Sequence, residues 1–201
     1  MSSDLTRRGG LAGMLGGLLW VLFPLGELPE VDLLLAPHMS LAYYGLGYLL
    51  PQLLLLMSLQ RLHAFHRRSY GWLGTMGFYV SVVAFVLAFA GGALELTKTA
   101  ATGIGSTVAY LTVILSYFVL AWGSALLGLA ITGTLHDPAS YLGGMLLTIA
   151  VPLGFLFVFA AETAWDLGFW VGLTMPYGVA WLVLGYALLR TRGTAAQPRV
   201  S

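Results

Sequence analysis

Five stretches of this sequence, 41–60, 73–94, 105–135, 141–161 and 168–189, contain no Asp, Glu, Lys or Arg. A helix rises about 1.5 Å per residue, so about 20 residues cross the roughly 30 Å hydrocarbon layer of a bilayer. Each of the five is long enough, and a shorter apolar run, 9–26, precedes them. With 8% charged and 59% hydrophobic residues and a mean hydropathy of +0.87, the composition lies far from the about 25% charged residues of a soluble domain. The runs are unbroken and show no period of two, which points to helices and away from an outer-membrane barrel.

The expected fold is therefore all-α: six transmembrane helices in one bundle, approximately 9–26, 39–60, 71–96, 105–134, 141–161 and 168–189. Residues 1–8 form an N-terminal segment, 9–190 the membrane domain and 191–201 a disordered tail rich in small polar residues. Arg7 and Arg8 ahead of an apolar run have the outline of a twin-arginine export signal. No small-x-small cleavage site follows, so the run reads as the first membrane helix.

Six crossings place every Arg, namely Arg7, Arg8, Arg61, Arg67, Arg68, Arg190, Arg192 and Arg199, on one side and the single Lys98 on the other. Basic residues in short loops set orientation, so both termini are expected in the cytoplasm of a prokaryotic inner membrane. The acids divide the opposite way, with only Asp4 and Asp137 beside the arginines. Glu27, Glu30, Asp32, His38, Glu95, Glu162 and Asp166 then share the outer face. Converging carboxylates would attract cations and raise one another's pKa values, so this cluster is a candidate cation site or vestibule; solvated loops poor in basic residues are the simpler account. Glu27, Glu95 and Glu162, and Tyr43, Tyr110 and Tyr177, recur at nearly equal spacing, which three equal hairpins produce with or without true triplication.

Within the bundle, small residues allow close packing, because lipid tails leave no hydrophobic drive between helices. Gly9, Gly13 and Gly17 form one such stripe and Ser124, Gly128 and Thr132 another. The second reads as internal packing; the first serves either internal packing or a partner, a second copy or a larger membrane complex. Pro51 and Pro152 fall near helix middles, where a missing amide and a ring clash should kink the helix and free the carbonyls of Gly47 and Thr148. Beside the first kink, Gln52 is the most polar side chain at mid-membrane depth and must face protein, water or a ligand. Tyr70, Trp72 and Tyr141 are assigned to the inner interface and Tyr177 to the outer one. Trp122, Trp181, Tyr48, Tyr79, Tyr117 and Tyr186 lie deeper, where their polar tips need acceptors. The inner connection gathers Arg61, His63, His66, Arg67 and Arg68, with Arg190 and Arg192 on the same face, as an anchor for anionic lipid headgroups.

No cysteine is present, which excludes disulfides, thiolate metal sites, iron–sulfur clusters and covalent haem. Lys98 sits in a loop, so no retinal Schiff base is expected. Phosphate loops, dinucleotide fingerprints, metal-spaced histidines and nucleophile elbows are absent, and so is any acid or base at the membrane centre. The leading reading is a non-enzymatic membrane protein that binds lipid or an apolar cofactor, such as a quinone, carotenoid or sterol, or serves as an accessory subunit. A small transporter with Gln52 at its constriction is the alternative, and an outer-face metal enzyme a third. Membrane lipids are the expected partners, and nucleic acid is not.

Overall fold

The computed structural model describes residues 3–27, 44–96, 103–134, 137–160 and 165–190, and among them there is no strand. Six α-helices follow one another: α1 (Ser3–Leu22), α2 (Leu50–His66), α3 (Gly71–Leu96), α4 (Gly103–Thr134), α5 (Pro138–Ala160) and α6 (Trp165–Arg190). A 3₁₀ turn, Phe23–Glu27, extends α1, and a π-helical turn, Tyr44–Leu49, runs into α2. By length and composition three segments, Asp4–Leu25, Gly71–Leu94 and Leu111–Thr134, could cross a membrane; Pro138–Gly154 is a shorter apolar helix.

Two helices outrun the apolar stretches that announced them. α1 starts at Ser3 instead of residue 9, and α2 runs to His66 instead of residue 60. The physical reason is that charge limits how far a segment can enter lipid, whereas Arg, Leu and Gln are good helix formers wherever they stand. Arg61, His63 and His66 consequently belong to the last turns of α2, and the connection shrinks to Arg67–Tyr70. Gly71 closes that turn at φ +59°, a left-handed conformation that glycine adopts without a Cβ clash.

Pro51 lies where the π-helical turn Tyr44–Leu49 passes without a break into α2, Leu49 keeping a right-handed helical backbone, and the disturbance expected at this proline takes the form of a widened turn just before it. Where an α-helix would press the Pro51 ring onto the carbonyl of Gly47, widening the turn relieves the clash. Pro152 is inside α5, as expected, and is exposed.

The helices close into a ring in chain order, each touching the next, with α6 returning to α1. α3 with α4, α1 with α6, and α5 with α6 share the broadest faces; the α2–α3 seam is the thinnest. Glycines set the closest seams. A Cβ on Gly17 would lie 2.5 Å from the Gly178 carbonyl oxygen, and one on Gly178 equally close to that of Gly17. Gly10 and Gly185 repeat this reciprocal approach two turns away, so backbones of α1 and α6 meet directly, the membrane-style contact that only small residues permit.

Polarity is arranged inside out. Leu11, Leu15, Leu18 and Leu22 line the exposed face of α1, and Leu111, Leu115 and Phe118 that of α4, while Gln52, Ser58, Ser81, Ser116, Ser124 and Thr174 are buried. A bilayer solvates such a surface; water does not.

Candidate functional site

The centre of the ring is filled by aromatic rings from α1, α3, α4 and α6 and from the 3₁₀ and π turns. Trp20 of α1 lies 5.2 Å from Tyr177 of α6, 6.2 Å from Tyr117 of α4 and 6.4 Å from Phe85 of α3, all tilted between 39° and 50°. Phe23 meets Tyr48 of the π turn at 5.8 Å, and Trp181 stands edge-on to Tyr177. Such tilted contacts match the positive edge of one ring to the negative face of another. The Tyr48 and Tyr117 hydroxyls lie beside each other, and that of Tyr177 beside Ser124 and Trp181.

Trp20 and Gln52 share one level of this core. α1 and α2 run antiparallel with Gly9 against Arg61, Gly13 against Ser58, Gly16 against Leu54 and Leu55, and Phe23 against Tyr48. That register sets Trp20 level with Pro51 and Gln52. Tyr48, Gln52, Leu55 and Leu59 occupy the buried face of this rod, and the Tyr48 ring rests where a Cβ on Gly92 of α3 would be. Gln52 is 2% exposed, and neither its amide nitrogen nor its amide oxygen has a hydrogen-bond partner among the described residues; Trp20, 1% exposed, has an indole N–H in the same state. Ser58 and Ser81 are also buried without a partner among the described residues. Other hydroxyls bond back to their own helix, Thr112 to the Val108 carbonyl at 2.7 Å and Thr148 to that of Gly144 at 2.9 Å.

A second polar cluster closes the end of α2. The Tyr70 hydroxyl lies 2.6 Å from His63 Nδ1, and the His63 ring stacks on Phe78 at 3.9 Å. The His66 carbonyl accepts bonds from the Ser69 and Tyr70 amides and from the Ser69 hydroxyl. Burial lowers the His66 pKa to about 4, and burial, then the Arg67 charge, lowers that of His63. Burial raises that of Tyr70. Arg67 and Arg68 are exposed on this turn, with Arg61 one helical face away against Gly9 and Arg190 ending α6 next to the start of α1.

Of the residues singled out in the sequence, Gly9 and Gly13 pack on α2 and Gly17 on α6; Gly128 packs on Gly144 and Thr148 of α5, and Thr132 on Gly144. Ser124 is buried. Gln52 and Pro51 are central, but exposed Pro152 does not join them. Glu30, Asp32, His38, Glu162 and Arg192 lie outside the described residues. Of Glu27, Glu95 and Asp166 only the backbone is described: they end the 3₁₀ turn, stand in the last turn of α3 and open α6.

Burial divides the aromatic residues differently from depth: Tyr177 and Tyr70, assigned near the interfaces, are buried against Trp20 and His63, and Trp122, Tyr79 and Tyr186, assigned deeper, are 70%, 60% and 49% exposed. Depth along a helix can be read from sequence, but the direction of the side chain needs the neighbours. Trp20, the hub of the core, carried one unused signal: it continues the stripe of Gly9, Gly13, Gly16 and Gly17 that faces the other helices. No family model, curated protein or solved structure matches this chain.

Proposed function

We propose that this chain is a six-span protein of a prokaryotic inner membrane, both termini cytoplasmic, that binds lipid or an apolar cofactor or serves as an accessory subunit, without catalysing a reaction. The observation that carries the reading is the aromatic centre. Trp20, Phe85, Tyr117 and Tyr177 occupy the middle of the ring, where a transporter needs a polar path. A path through Gln52 with Pro152 on its wall is disfavoured because Pro152 faces outward. The inside-out polarity supports a lipid environment for the whole ring, and the arginines of α1, α2 and α6 at one end support a cytoplasmic face that holds anionic headgroups.

Native mass spectrometry of the protein released from its own membrane tests the reading. A retained apolar molecule, lipid or protein partner is expected; bare protein together with solute flux in proteoliposomes would overturn it. Because the chain has no cysteine, a single Cys placed at position 2 or 200 reports topology. Labelling of either by an impermeant maleimide on intact cells would overturn the orientation.

A further inference from the structure

We infer that the level of Trp20 and Gln52 is a binding site for a flat, uncharged ring bearing a carbonyl or hydroxyl oxygen, the chemistry of a quinone head group. The inference rests on the apolar-cofactor reading above and names the class of that cofactor.

Both atoms of the Gln52 amide and the Trp20 N–H lack partners among the described residues while almost fully buried. Orphaned polar groups of this kind cost on the order of 1 to 3 kcal/mol each, so a native chain that keeps them together gains something when they are satisfied. Gln52 and Trp20 lie at one level of the α1–α2 register, so an occupant seated between them would be offered two N–H donors for a carbonyl oxygen. The Gln52 oxygen accepts from a hydroxyl, so one amide serves both the carbonyl and the hydroxyl form of such a ring. A charged ligand would find no buried counter-charge among the described residues of the core, which makes the occupant uncharged. Phe85, Tyr117 and Tyr177 around Trp20 favour a flat occupant that stacks.

Access is also written in the fold. The orphaned atoms are sealed in this structure, so side chains must yield, and the parts that can yield adjoin the site. The π turn Tyr44–Leu49 carries Tyr48 on the same face as Gln52, with Gly45 in open space. A shift of this turn would carry Tyr48 with it, and π turns recur at functional sites. The α2–α3 seam, where Tyr48 rests on Gly92, is the thinnest of the ring and leads to the lipid.

The test is titration of the full-length protein in lipid nanodiscs with decyl-benzoquinone, followed by tryptophan quenching and native mass spectrometry. Saturable one-to-one binding is expected, weakened at least tenfold in Gln52→Leu and Trp20→Phe and unchanged in Trp122→Phe, which alters an exposed Trp. Gln52→Leu removes an unpaired amide and should melt no lower than the wild type, so its loss of binding is not loss of fold; Gln52→Glu, which adds a charge, should also abolish binding. Absence of saturable binding, or binding equal in all variants, overturns the inference. If the protein still retains another apolar molecule, the broader reading stands without this site; if nothing is retained, both fail.

Discussion

Two buried polar clusters on α2, about three helical turns apart, meet opposite fates. At the end of the helix, Tyr70 bonds to His63, the His66 carbonyl accepts three bonds, and the imidazole of His63 stacks on Phe78. In the middle, Gln52 and Trp20 bond to nothing described. The difference lies in the backbone available. The end has a turn, with Gly71 in a left-handed conformation, that folds Tyr70 back over its own helix. In the middle the described backbone is helical throughout, the π turn before Pro51 included, and none of it reaches the Gln52 amide or the Trp20 indole, so a side chain there depends on other side chains or on a molecule that is not protein. The complete cluster closes the end of α2, and the incomplete one is where the inferred ligand would bind.

The largest expected effect sharpens the first half of that contrast. Burial disfavours the imidazolium of His66, so its folded pKa of about 4 lies below the usual 6.5. The unfolded chain therefore takes up a proton that the folded chain refuses between these values. Stability is full above pH 6.5 and falls as the pH drops towards 4, by on the order of 2 to 3 kcal/mol. Thermal melts in detergent should show this slope, and His66→Leu should flatten it; an unchanged slope would show that the His66 ring is solvated.

A slightly smaller effect tests the other half. After delipidation, Gln52→Leu should raise stability by about 1 to 2 kcal/mol, because it removes two unpaired polar atoms at nearly constant volume. Destabilisation by a similar amount would mean that the amide has a protein partner and that the two clusters are alike. Tyr70→Phe should do the reverse, costing about 1 kcal/mol by leaving His63 Nδ1 without its phenol, and the imidazole NMR signal of His63 should shift in pKa; a melt and a titration equal to wild type would break the contrast. Gly71→Ala should cost about 1 kcal/mol, since a Cβ strains the left-handed turn, measurable as a lower melting midpoint with the Gln52 region unaffected.

Much of this molecule was legible in one dimension. Long uncharged runs announced apolar helices, and the described residues form six α-helices that overlap the expected spans, with α1 and α2 displaced at their ends, and three segments are long and apolar enough to cross a membrane. Glycine spacing announced close packing in α1. The site was only half legible: Gln52 stood out because an amide is rare among leucines, but nothing beside it in sequence pointed to Trp20, more than thirty residues earlier. The π turn was hidden too, because a proline announces a disturbed backbone without saying whether the helix will bend, stop or widen.

What the sequence determined by itself is the solvent of this protein and the period of its elements, since hydrocarbon selects residues by transfer free energy, one at a time and without reference to neighbours. What only the tertiary structure decided is which side of each helix turns inward. Rotation about a helix axis is fixed by where bare backbones can touch, Gly17 on Gly178 and Gly10 on Gly185. Once those contacts lock α1 against α6, Trp20 turns to the centre, and it arrives level with Gln52 through packing that no local stretch of the chain encodes.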